Sequence, residues 1–254
     1  MSSTSSLKPQ EEPSRSSKID LRNASAISRF GELPADPAAE SALKSLLHHS
    51  PVSRLARAMQ RVVTGVKAAD PRVLTMQAGW WSRFTGAALE RTVSYQRAHQ
   101  QLDRQLDAAN EIAAEVNDLL DRLRYVLQSK HEGIAYLDEC LEVGHRALEQ
   151  YDPRATGEEI PPTTMDRLSR RLTNLATLRT SLQLTQSQLN LSIESATALL
   201  DRFYEVRDVL VPVWRQHTLS LLTNADRDAE RTAAALQAHD QLMQSLSKAV
   251  ALAA

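Results

Sequence analysis

The chain has 254 residues, enough for one large domain or two small ones around a buried core. Aromatic residues make up 4% of it and glycines number seven, while Leu, Ala, Gln, Arg, Glu and Asp dominate; this starves a β-sheet and predicts an all-α fold. The net charge of −1 lacks the basicity that advertises nucleic acid, so no nucleic-acid partner is expected.

Residues 1–37 are rich in Ser, Pro and charge and read as a disordered tail, unable to offset the entropy of ordering. They contain no apolar h-region of a secretory signal, and no stretch of about 18 apolar residues occurs anywhere in the chain. A short helix follows from Ala38 to about His49, with Leu43, Leu46 and Leu47 on one side. Next, "SPVSRLARAMQRVVTGVK" places Ser50 as N-cap and Pro51 at the first helical position. Val52, Leu55, Met59, Val62, Val63 and Val66 form its apolar stripe, and Arg54, Arg57 and Arg61 take the other side.

Between Arg54 and Arg97 basic residues prevail; between Asp103 and Glu159 acids do, so the two regions are expected to face each other or oppositely charged partners. The junction "RVLTMQAGWWSRFTGAALE" gathers Trp80, Trp81 and Phe84 within five residues, an anchor either for the end of a bundle or for a membrane interface.

The most regular segment comes next. Leu102, Leu106, Ala109, Ala113, Val116, Leu120, Leu123 and Leu127 alternate steps of four and three, and Ile134, Leu137, Leu141 and Leu148 keep the same heptad register past Lys130. A helix over 87–150 would be about 90 Å long at ~1.5 Å per residue and needs another rod to pack on. The Pro- and Gly-containing turn "YDPRATGEEIPPTTMD" supplies the reversal. The returning stripe runs through Leu168, Leu172, Leu175, Leu178, Leu182, Leu189, Ile193, Ala196, Leu200, Phe203, Val206 and Leu210. Its period drifts between Leu175 and Leu189, which favours a bundle over a strict two-stranded coiled coil. Apolar steps continue beyond Pro212 through Leu219, Leu222, Leu236, Met243 and Val250, so a helix kinked at Pro212 is expected, with Trp214 filling the bend.

The resulting expectation is an all-α, elongated helical bundle built on a long antiparallel coiled-coil-like hairpin. It has a Pro-kinked C-terminal helix and a single domain over 38–254, comprising short helices at 38–86, the long helix at 87–150 and the kinked return at 163–252.

Motifs for chemistry are sparse. The chain has no phosphate-binding glycine loop, no HExxH, no GxSxG and no cysteine pair, since Cys140 is the single cysteine. Glu142 and His145 form one Glu-x-x-His, the spacing that di-iron bundles use twice, but Gly144 sits inside it and no second copy exists. His48 and His49 diverge by about 100° on a helix and do not converge on one ion. Nothing near Cys140 in the sequence lowers its pKa. No catalytic residue, metal or cofactor is therefore expected.

The stretch "LNLSIESATALLDRFYEVRDVLVPVWRQH", Leu189 to His217, carries a resemblance. A run of Asn and Leu, a helix of some twenty residues, then Pro212, Val213, Trp214, Arg215 and Gln216 is similar to the late helix of the toxic anion resistance (TelA-type tellurite resistance) family. "GWWSRFTGAALERTVSYQRAHQQLDRQLD" and the Ala- and Gln-rich ending resemble that family too, so the likeness spans roughly 41–250. It implies an all-helical, cytoplasmic bacterial protein linked to tellurite or other toxic anions or to envelope stress. With no thiol cluster or redox motif, the expected role is a non-enzymatic scaffold or adaptor; a peripheral membrane coiled coil is the alternative. Interaction candidates are Arg54, Arg57, Arg61, Trp80, Trp81, Phe84, Pro212, Trp214, Arg215 and Gln216. The candidate partners are another protein, an anionic membrane surface at the inner membrane, or a second copy of the chain.

Overall fold

The computed structural model describes Ile19, Leu21 and residues 23–48, 50–72, 87–151, 161–223 and 229–251. The regular structure of the described residues is entirely helical, without a strand: α1 (Ala24–Arg29), α2 (Pro37–His48), α3 (Pro51–Ala68), α4 (Ala87–Glu149), α5 (Pro162–Glu205), a π-helical turn (Val206–Leu210), α6 (Val211–Thr223) and α7 (Ala229–Ala251). The all-α expectation therefore holds. They cluster into two units, one from Met1–Ala35 with Ser129–Gln186, the other from Asp36–Gln128 with Ser187–Ala254.

In the first unit, α4 and α5 run antiparallel: Gly133 lies against Leu182, Asp138 pairs with Arg179, and Gly144 meets Leu172. The sequence number rises along one helix as it falls along the other. The seam holds Leu137, Cys140, Leu168, Leu172 and Leu175, joined by Ile27 of α1. At Gly144 the two helices approach closely, since a Cβ there would stand 2.3 Å from Leu172 Cδ2. The glycine that interrupts the heptad in the sequence is thus a contact point of the helix pair.

In the second unit the same two helices continue antiparallel. Leu102, Ala109, Ala113 and Val116 of α4 pack with Ala196, Leu199 and Phe203 of α5. The α3 stripe of Leu55, Met59, Val62 and Val66 joins this core, together with Leu242, Leu246 and Ala249 of α7. Beside it, Ala39 of α2 closes over Leu119, Leu123, Val126 and Leu189. Pro51 opens α3 as expected, although the Ser50 side chain makes no cap hydrogen bond.

Three expectations change. Part of the stretch 1–37 expected to be disordered is ordered: Asn23 Oδ1 accepts the N–H groups of Ser25 and Ala26 at 3.0 and 3.2 Å, capping α1, and Ile27 is buried at 1% exposure. The Ser-rich first residues dominate the composition of that stretch and mask a short apolar set. The return helix is not one kinked rod to residue 252, because α6 ends at Thr223 and α7 packs back on it and on α3. Trp214 meets His239, and Arg202 donates to Ser245 Oγ at 3.2 Å, so α7 runs antiparallel to the end of α5 and to α6. Helical periodicity is the same in either chain direction, which is why the reversal is silent in the pattern. Finally, Leu178 is 39% exposed rather than in the seam, where the heptad drifts against the helical repeat.

Candidate functional site

Pro212 removes one backbone donor from the helix and crowds the preceding turn. The chain absorbs this one turn earlier, where Val206–Leu210 widens into π geometry and the Val211 N–H donates to the Val206 carbonyl. Pro212 itself is exposed, as are Val213 and Gln216, while Trp214 is fully buried and Arg215 half-buried. The motif is therefore split between an outward and an inward half.

The inward half meets residues brought from α4 and α7, and the end of α3 braces α7 from behind. Trp214 stacks on His99 of α4 with ring centroids 4.5 Å apart and planes 3° apart. Tyr95, one turn earlier on α4, tilts against His99 at 4.5 Å, and His239 of α7 approaches the indole at 6.4 Å. Thr218 Oγ1 donates to the Trp214 carbonyl, and His239 Nε2 lies 3.8 Å from Asp70 Oδ2 just past α3. Beside Asp70, Arg72 Nη2 donates to both carboxylate oxygens of Asp240 at 2.9 Å, tying the end of α3 to α7.

Burial sets the protonation states. It pushes the His99 imidazole down to about 4, with Arg215 adding to the shift and Asp103 opposing it. Burial also lowers His239, against Asp70 and Asp240 and with Arg72. The Tyr95 phenol is driven above its usual range by burial, with the Thr218 hydroxyl pulling the other way and Asp70 adding to the rise. At neutral pH the cluster therefore carries a neutral His99 ring and a protonated phenol, packed ring against ring around Trp214.

A polar ladder extends the junction along α4. Asp103, Asn110 and Asn117 recur every seventh residue, beside the apolar seam. Asp103 pairs with Arg215, Asn110 accepts from Arg207, and Asn117 Nδ2 donates to Tyr204 Oη at 2.7 Å. The Arg207 guanidinium, held by Asp208, also lies 4.8 Å above the Tyr204 ring.

The other sequence candidates separate. Arg54 of α3 pairs with Glu115 of α4, so the basic helix does face the acidic one at this point. Arg57 donates to its own helix at the Ser53 carbonyl at 3.3 Å, and Arg61 is exposed. Trp80, Trp81 and Phe84 lie outside the described residues. Glu142 is taken by Arg146 on the solvent side, and among the described residues no group of three or more His, Cys, Asp or Glu is placed to hold a metal. Burial raises the Cys140 thiol above its ordinary value.

Protein KlaA of Escherichia coli is 35% identical to the chain over 212 residues, which cover 82% of each protein. The chain belongs to the toxic anion resistance (TelA-type tellurite resistance) family. No protein-family model matches it, and no solved structure does. Among the described residues of this TelA-type protein, no helix is long and apolar enough to cross a membrane.

Sequence reasoning singled out Trp214 and Arg215 for this family member but missed Tyr95, His99, His239 and the ladder. Two signals were present. Polar residues at 103, 110 and 117 share the heptad spacing of the seam, and His239 falls on the apolar stripe of Ala235, Ala238, Leu242 and Leu246. A polar side chain on such a stripe must be paired or held neutral once buried.

Proposed function

We propose that this TelA-type protein is a non-enzymatic cytoplasmic scaffold that contributes to tellurite or related stress resistance by holding a protein partner. The observation that supports this reading most is the Trp214 junction. There His99 of α4 and His239 of α7 meet the buried indole of α6, the end of α3 reaches His239 through Asp70, and the titratable rings around the indole are held away from protonation change near neutrality. A general acid or base would need a pKa near the working pH, whereas this arrangement fixes helices relative to one another. The ladder of Asp103, Asn110 and Asn117 adds register to that fixation.

The test compares chemistry with binding. Purified protein incubated with tellurite and either NADPH or glutathione should show no loss of tellurite that scales with protein concentration. In the native host, cross-linking with the tagged parent should enrich a defined partner, and both that enrichment and tellurite resistance should fall in a folded variant altered at the junction, such as Arg215→Gln. Protein-dependent turnover of tellurite in vitro would replace the scaffold reading with an enzymatic one.

A further inference from the structure

A seam shared by two helices has an open side, because each helix can cover only part of the other's apolar stripe. In the unit containing Ser129–Gln186, the open side of Leu137, Cys140, Leu168, Leu172 and Leu175 is covered by the chain's own Ile19, Leu21, Ile27, Phe30 and Leu33. Ile27 enters the seam at 1% exposure, while Ile19, Leu21, Phe30 and Leu33 pack at its margin. Two fixtures hold this segment. Arg171 Nε donates to the Phe30 carbonyl at 2.7 Å, and Gly31, at φ 68°, lies so close to Leu175 that a Cβ would stand 2.7 Å from its Cδ1.

The segment is weakly self-supporting. α1 has six residues, against the roughly 12–15 that a helix needs to persist alone in water, so its form depends on the seam beneath it. Elements with few buried contacts open at low free energy, long before the whole fold does. Opening here uncovers a ready apolar groove with an arginine at its edge.

We propose that residues 19–33 are a displaceable strap and that the seam under them is the binding groove for a protein partner's short amphipathic helix. The strap shows what the groove accepts. It takes a helical turn with apolar residues three apart, as Ile27 and Phe30 are, the second of which offers its backbone carbonyl to Arg171 at the end of the turn. The inference rests on the scaffold reading for the existence of a partner, and it places that partner at a site far in sequence from the Trp214 junction. Binding of the strap sequence in vitro is independent of any resistance phenotype, so the two ideas fail separately.

Cys140 is the chain's single cysteine, lies in the seam and is 7% exposed, which makes it the reporter. The full-length chain and its Ile27→Asp variant are compared by the rate of maleimide labelling and by anisotropy of a fluorescent peptide with the sequence of residues 19–35. In the variant, labelling should accelerate at least about tenfold, the peptide should bind and slow labelling again, and the parent should bind it at least about tenfold more weakly. A peptide carrying Ile27→Asp should not bind. Should the aspartate variant lose helical circular dichroism, Arg171→Gln leaves the apolar seam intact and should raise labelling several-fold. Equal labelling in parent and variants, or no capture of the peptide by the opened chain, overturns the proposal. A parent that sediments as a dimer and dissociates on Ile27→Asp overturns it too, by showing that the segment is exchanged between copies.

Discussion

Trp214 lies flat on His99, centroids 4.5 Å apart and planes 3° apart, and the same indole is approached from α7 by His239. A helix carrying a surface proline thus places, two residues later and against two imidazoles, the largest fully buried side chain among the described residues. The relationship makes the indole the common contact of three helices.

Removing that indole should be costly. Trp214→Ala takes away a side chain of about 150–250 Å² from a fully buried position, and the surrounding rings cannot collapse completely. A loss of about 3–5 kcal/mol is expected in urea unfolding at neutral pH, with Trp214→Phe losing less. A parent-like midpoint for the alanine variant would show that the junction does not depend on the indole.

Stability should also fall on acidification. The folded protein holds His99 down to about 4 from an ordinary 6.5, so below 6.5 the unfolded chain binds the proton first. The contribution of a neutral His99 is complete above pH 6.5 and is lost as pH falls toward 4, and His239 acts in the same direction. For His99 alone, about 2 kcal/mol is expected over that window after discounting for partial exposure. Unfolding free energies at several pH values measure it, and His99→Gln should flatten the slope; an unchanged slope in that variant would assign the pH dependence elsewhere.

Pro212→Ala should behave differently from either. Pro212 is exposed, and the widened turn at Val206–Leu210 already places the Val211 N–H on Val206. Returning to regular α geometry would rotate Val206 and Phe203 relative to Trp214 and break the core contacts on both sides. The π turn is therefore expected to persist, with stability changed by less than about 1 kcal/mol, since the restored donor is offset by a freer unfolded chain. A high-resolution structure of the variant with the turn regularised would contradict this.

Gly144→Ala tests the close approach in the other unit. The added Cβ would stand 2.3 Å from Leu172 Cδ2, and Leu172 is buried. Overpacking costs about 1–3 kcal/mol and better helix propensity returns about 1, so a net loss near 1 kcal/mol is expected in thermal melts. Combining it with Leu172→Ala should cost less than the two changes added separately, because the cavity admits the methyl group.

Much of this was legible in the sequence because helical packing writes itself locally. The steps of three and four from Leu102 to Leu123 reappear as buried residues of α4, and Leu168, Leu172 and Leu175 reappear as the facing seam. The register failed at Leu178, where the drift between a seven-residue repeat and the true helical turn moved a leucine to the surface. Around the site, the buried tryptophan was readable because an indole on an apolar helical stripe has few other places to go. His99 and Tyr95 were not, since nothing within α4 distinguishes them from surface residues until α6 is laid against it.

The sequence alone therefore determined the helical class, the positions of α2, α3 and α4 and the start of α5 within a few residues, and the antiparallel return, all of which follow from periodicity and turn chemistry close along the chain. Only the tertiary structure decided that α7 doubles back onto α3 and α6, that Ile27 and its apolar neighbours cover a seam, and that His99 and His239 meet at one indole. Those outcomes depend on which of several similar apolar stripes pair. That choice is made by the free energy of burying them together and leaves no local mark on any one of them.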